Sequence, residues 1–88
     1  MFLNKKLFHL TDLLFFEYCR DKYHINRGIY NTIDSWFYTQ GEEDIILRRA
    51  QIIKFLNNNK EMGFVKSRFG KGGLSARLNE FSRWKSIS

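Results

Sequence analysis

Residues 42–58 read EEDIILRRAQIIKFLNN, and the reading of this stretch decides the fold. Three carboxylates, Glu42, Glu43 and Asp44, suit the positive end of a helix. Ile45, Ile46, Ala50, Ile52, Ile53 and Leu56 follow. At helical spacing of about 100° per residue they cover an arc of roughly 160°. Leu47 and Phe55 fall outside that arc. A helix that is apolar on more than one side needs cover on more than one side, so it is expected at the centre of the domain. Asn57, Asn58 and Asn59 are expected to end it, because Asn tolerates left-handed backbone at a helix C-terminus.

One residue does not fit the stripe. Arg49 projects into the middle of the apolar arc. Its stem can pack while its head snorkels or meets a carboxylate. Glu17, Asp21 and Asp34 are the expected partners, and Arg49 is expected to be at least half buried. The sharper alternative is a buried cation with a structural or functional role.

Outward from this helix, the N-terminal side reads as two more. Residues 1–9 admit either a short strand or an arm packed by Phe2, Leu3, Leu7 and Phe8. Thr11 suits an N-cap, with Asp12 in the first turn of a helix running to about His24. Leu10, Leu13, Leu14, Phe16 and Tyr18 are expected to supply much of its apolar surface. A second helix is expected over residues 26–40, capped by Asn26 and stopped by Gly41. Ile29, Tyr30, Ile33, Trp36 and Phe37 repeat in it at three- and four-residue spacing. The short link that follows implies two packed helices meeting at a sharp angle.

The C-terminal side has two readings. Met62, Val65 and Phe69 match a helical face, although Gly63 weakens it, and Gly70 to Gly73 form a loop. Leu74, Leu78, Phe81 and Trp84 then share one side of a final helix. Alternatively, residues 64–81 form a hairpin, giving a winged-helix-like α+β domain. The helical spacing favours the first reading. The expected fold is therefore all-α: residues 1–88 as a single small domain of four or five short helices around the central helix.

Composition narrows the class. Hydrophobic residues make up 43% of the chain and aromatic ones 17%, too apolar for a disordered tail. There is no proline to force a helix break. Cys19 is the one cysteine and has no internal disulfide partner, which favours a reducing, cytoplasmic setting. The N-terminal apolar run is broken by His9, Thr11, Asp12 and Glu17, so neither a signal peptide nor a membrane span is expected.

Charge is unevenly spread. The chain carries a formal +6. Residues 1–58 hold eight Lys/Arg against seven Asp/Glu, a net +1, and residues 59–88 hold seven against two, a net +5. Such a basic third suits a polyanion, nucleic acid first, or an acidic protein surface. Lys66, Arg68, Lys71 and Arg77 surround Gly70, Gly72 and Gly73, which let backbone N–H groups approach a phosphate closely. Lys60 adds to this charge, and Arg83, Trp84 and Lys85 place cations beside an aromatic that can stack on a base or seal the core.

Enzyme chemistry has no comparable signal. No glycine-x4-glycine-lysine-serine/threonine phosphate loop occurs. Glu17, Asp21 and His24 share a helical face, but a metal site needs further ligands that the sequence does not supply. No metal and no cofactor is expected. The expectation is a small non-enzymatic protein that contacts nucleic acid phosphates through Lys60, Lys66, Arg68, Lys71, Arg77, Arg83, Trp84 and Lys85, with DNA and RNA both open. The alternative is a protein-binding inhibitor or adaptor that docks on an acidic surface or on a nucleic-acid enzyme. Small proteins of phages and mobile elements, anti-CRISPR proteins among them, act in that style.

Overall fold

The computed structural model describes residues 5–59 and 73–87. Among the described residues there are five helices: α1 (Lys5–Phe8), α2 (Asp12–Tyr23), α3 (Arg27–Thr39), α4 (Ile45–Asn59) and α5 (Gly73–Ile87). The described residues contain no strand. The all-α expectation holds. The hairpin alternative fails in its second half, because residues 74–81 lie inside α5. Its first half, residues 64–72, lies outside the described residues, as does the short helix drawn over Met62, Val65 and Phe69.

The caps follow the sequence closely. Thr11 Oγ1 accepts from the Leu14 amide at 3.2 Å, and Asn26 Oδ1 accepts from the Ile29 amide at 2.8 Å. Each satisfies a backbone donor that the first helical turn leaves without a partner. Helix α2 stops when His24 turns left-handed, at φ 58°. Gly41 reverses the chain after α3 at φ 102°, where any side chain would be strained.

Helix α4 is central, as the apolar arc requires. It packs against α1, α2 and α3. Ile52, Ile53 and Leu56 are fully buried. Phe55, on the far side of the arc, is buried too, because Phe37 of α3 and Phe81 of α5 meet its ring edge-on at 6.5 and 5.6 Å. Leu47, also outside the arc, is 56% exposed.

Both ends of α4 differ from expectation. It begins at Ile45, because Asp44 is its cap: the carboxylate accepts from the amides of Ile46 and Leu47 at 2.8 and 3.1 Å. Glu42 and Glu43 therefore sit in the link rather than in the first turn. Arg48 Nη1 ties that link down by donating to both their carbonyls, at 2.8 and 3.0 Å. At the other end Asn57, Asn58 and Asn59 remain helical. Asn57 accepts the Tyr23 hydroxyl at 2.7 Å, and Asn59 donates to the Phe55 carbonyl at 3.0 Å. None of the three takes the left-handed conformation, and the side chains of Asn57 and Asn59 are engaged in these hydrogen bonds.

Two further readings are decided by the structure. Residues 5–8 form a helical turn, not a strand, and the packed-arm alternative holds for Leu7 and Phe8: Phe8 enters the core and Leu7 packs against it. On α2, Leu13 and Leu14 are 58% and 47% exposed, while Phe15, Phe16, Cys19 and Tyr23 are buried. The core side of α2 is thus rotated away from the two leucines. Phe15 and Phe16 both pack against Tyr30 of α3, at ring distances of 6.2 and 5.4 Å. These large rings claim the α2–α3 seam and leave the leucines outside.

Candidate functional site

Helix α5 carries the described part of the basic C-terminal third. Leu78 and Phe81 anchor it in the core, and Leu74 packs beside them. The same 3.6-residue period that turns those three toward the core turns Arg77 and Arg83 outward, and both are exposed. Arg77 lies 3.5 Å from Glu80 across one helical turn. That exposed contact contributes little to stability and leaves the guanidinium accessible. The backbone of Trp84 and Lys85 continues α5. Lys60, Lys66, Arg68 and Lys71 lie outside the described residues, as do Gly70 and Gly72.

A second set of cations comes together at the α2–α3 corner, and the charge tally along the sequence hides it. The guanidinium of Arg20 lies 5.9 Å from the Phe16 ring centroid, and that of Arg27 lies 4.7 Å from the same ring. Lys22 sits 5.7 Å from the Tyr18 ring and 5.8 Å from the Tyr23 ring. Asp21 pairs with Arg20 at 3.0 Å and Asp12 with Arg27 at 3.2 Å. Those carboxylates cancel the corner in any count by segment. The i, i+4 relation of Phe16 and Arg20 is visible in the sequence. The approach of Arg27 to the same ring needs the turn.

Arg49 is buried, at 3% exposure. Its partners are not the ones the sequence suggested. Nη1 donates to the carbonyls of Phe8 and Leu10 at 2.8 and 2.6 Å, and Nη2 lies 3.4 Å from Asp12. The guanidinium also stands 4.8 Å from the Phe15 centroid. Asp34 pairs with Arg48 instead, at 2.8 Å, and Asp21 pairs with Arg20. Arg49 is therefore a structural clamp that fastens the α1–α2 connection to α4. Its Nη1 supplies the N–H donors that the two backbone carbonyls accept from.

Burial also sets the acid–base behaviour of the core. It pushes the Cys19 thiol from 9.0 to about 12, against a smaller opposing pull from Arg49. The Tyr23 hydroxyl is raised from 10.0 to about 12, first by burial and then by Tyr18 and Cys19 nearby. Tyr30 moves the same way, through burial and then the carboxylates of Asp12 and Asp34. A thiol held neutral in this manner is a packing group rather than a nucleophile. Among the described residues no three His, Cys, Asp or Glu side chains gather into a metal-holding group. No helix among them is long and apolar enough to cross a membrane.

Two hollows flank Trp36. One, of about 120 Å³, is lined by Trp36, Phe37, Gln40, Glu42, Phe81 and Ser82. The other is a shallow depression of about 400 Å³ along α3, lined by Asn31, Thr32, Ser35, Trp36 and Thr39. Sequence reading assigned Trp36 to the apolar stripe alone. It is half-buried, with its edge on Phe37 at 5.1 Å.

No family model matches the chain, and no solved structure matches it. Over 83 residues it is 39% identical to the RNA-binding riboflavin kinase RibR of Bacillus subtilis (strain 168). The similarity covers 90% of this chain and 36% of that protein, so the chain spans about a third of the length of the relative it matches.

Proposed function

We propose that this chain is an RNA-binding domain without catalytic chemistry of its own, holding phosphates through its basic C-terminal third. The observation that carries the reading is the similarity along nearly the whole chain to a protein whose name includes RNA binding. The +5 excess of residues 59–88 supports it, because phosphate contacts supply most of the affinity of a basic domain for nucleic acid. RNA is preferred over DNA on the relative's name. The kinase half of that name is left to the remainder of the relative, since this chain covers about a third of it. The residues assigned to the contact are Lys60, Lys66, Arg68, Lys71, Arg77, Arg83, Trp84 and Lys85, acting inside the cell.

Titration of the folded protein with labelled single-stranded and duplex RNA and DNA tests the reading. RNA should bind, and binding should weaken steeply with salt. If no nucleic acid binds even at ~50 mM salt, the reading fails. A stoichiometric protein partner copurifying from the native host would then favour the docking alternative, for which exposed Leu13, Leu14, Tyr38, Ile45 and Leu47 offer apolar surface.

A further inference from the structure

The shallow depression along α3 is polar without being charged. Asn31, Thr32, Ser35 and Thr39 line it around Trp36, and no ionisable side chain joins them. Helical spacing aligns these positions on the side of α3 opposite buried Tyr30, Ile33 and Phe37. Trp36 also lines the smaller hollow, whose far wall includes Phe81 and Ser82 of α5. The depression therefore adjoins the helix that carries exposed Arg77 and Arg83. A neutral, hydrogen-bonding surface in that place suits the sugars of a strand whose phosphates rest on the basic helix.

The hydroxyl hydrogens decide what this surface takes. Thr32 Oγ1 donates to the Gly28 carbonyl at 2.9 Å, and Thr39 Oγ1 donates to the Trp36 carbonyl at 2.7 Å. A hydroxyl has one hydrogen, and a carbonyl oxygen has none to give in return. Each threonine therefore turns only lone pairs to its surroundings and acts as an acceptor. Both residues are exposed. They stand two helical turns apart on one face, roughly 10 Å along the axis. The sugar–phosphate backbone of DNA offers acceptors only and has no hydrogen for them. RNA adds a donor at every nucleotide, the 2′-OH, and by this group a protein tells RNA from DNA.

We infer that the outward face of α3 is a ribose-reading surface, on which Thr32 and Thr39 accept hydrogen bonds from 2′-hydroxyls of a single RNA strand held by α5. Asn31 and Ser35 carry groups that both donate and accept, so they serve neighbouring sugar oxygens without selecting between the two nucleic acids. Trp36 supplies apolar floor between the threonines. This inference rests on the RNA-binding reading and adds to it the residues that prefer RNA over DNA.

The test uses the full chain and short oligomers of uracil that differ only in the sugar: ribose, 2′-deoxyribose or 2′-fluororibose. The fluoro sugar keeps the pucker of ribose and lacks its donor. Wild type should bind the ribose oligomer roughly tenfold tighter than either of the others, the scale of two solvent-exposed hydrogen bonds. Thr32→Val combined with Thr39→Val keeps the side-chain shape and removes the acceptors. This pair should erase the ribose preference and leave affinity for the deoxy oligomer unchanged. Thr32→Ser combined with Thr39→Ser should retain most of the preference. Neither pair removes a backbone hydrogen bond of α3, and circular dichroism checks that the fold persists. Should the valine pair unfold, the fluoro oligomer on wild type decides alone. Equal binding of the ribose and fluoro oligomers by wild type overturns the inference and leaves RNA binding standing. So does a ribose preference that survives in the folded valine pair. Binding of none of the oligomers overturns both readings.

Discussion

Arg49 Nη1 donates to the carbonyl of Leu10 at 2.6 Å, and through this contact α4 holds the turn in front of α2. The same nitrogen reaches Phe8 O at 2.8 Å, while Asp12 stands further off at 3.4 Å. The side chain of Asp12 is 60% exposed, so the carbonyls, not the carboxylate, are the partners that depend on Arg49.

Arg49→Ala should therefore destabilise the domain by about 2–4 kcal/mol, because it empties a buried volume and strips two carbonyls of their donor. Asp12→Asn should cost under about 1 kcal/mol, as expected for an exposed ion-pair partner. Arg49→Lys should fall near the alanine variant, since one ammonium cannot span the three acceptors. Urea unfolding of the three variants checks the order. An Asp12→Asn loss as large as that of Arg49→Ala would show that the ion pair dominates.

Leu47 and Phe55 lie on the same helix, and both fall outside its main apolar arc. Their mutants should separate. Phe55→Ala should cost about 3–5 kcal/mol, because Phe37 and Phe81 close over a fully buried ring. Leu47→Ser should stay within about 0.5 kcal/mol, as should Leu13→Ser and Leu14→Ser. Thermal melts are sufficient to distinguish the groups.

Stability should fall on the alkaline side. In the folded state Cys19 and Tyr23 hold their protons to about 12, while in the unfolded chain they ionise near 9.0 and 10.0. The unfolded state then binds fewer protons, and the slope of stability with pH is negative. The contribution is complete below about pH 9 and is lost progressively as pH rises toward about 12. Cys19→Ala should flatten the early part of that decline in pH-dependent unfolding. A thiol reagent should label native Cys19 far more slowly than unfolded Cys19, and reductant should leave the monomer's Tm unchanged.

Lys71 and Arg77 are the test of the phosphate contacts. Replacing both with Ala should weaken RNA binding for all sequences alike and leave folding intact. The slope of log K against log salt should flatten by about 1.4 on a single strand or about 1.8 on B-form duplex DNA, at 0.7 or 0.9 counterions per contact. Trp84→Ala should cost more on single strands than on duplex if Trp84 stacks on bases. An unchanged slope in the double variant would remove these two residues from the interface.

The sequence by itself determined what depends on neighbours along the chain. Thr11 and Asn26 cap helices because their oxygens reach amides three residues on. Gly41 breaks the chain because it tolerates positive φ. Periodicity put Ile52, Ile53, Leu56, Leu78 and Phe81 inside. It also placed Arg49 within the apolar stripe, and hence in the core. Only the tertiary structure decided what meets what. Periodicity does not say that Phe15 and Phe16, rather than Leu13 and Leu14, fill the α2–α3 seam, since that depends on how α2 is rotated against Tyr30. Nor does it distinguish Arg48 from Arg49 as the partner of Asp34. Two successive helical residues point about 100° apart, and which one faces the carboxylate depends on the crossing of α3 and α4. The hollow at Trp36, Glu42 and Ser82 draws on residues up to forty-six positions apart. It exists because α5 docks across the end of α3, a packing event that local spacing does not encode.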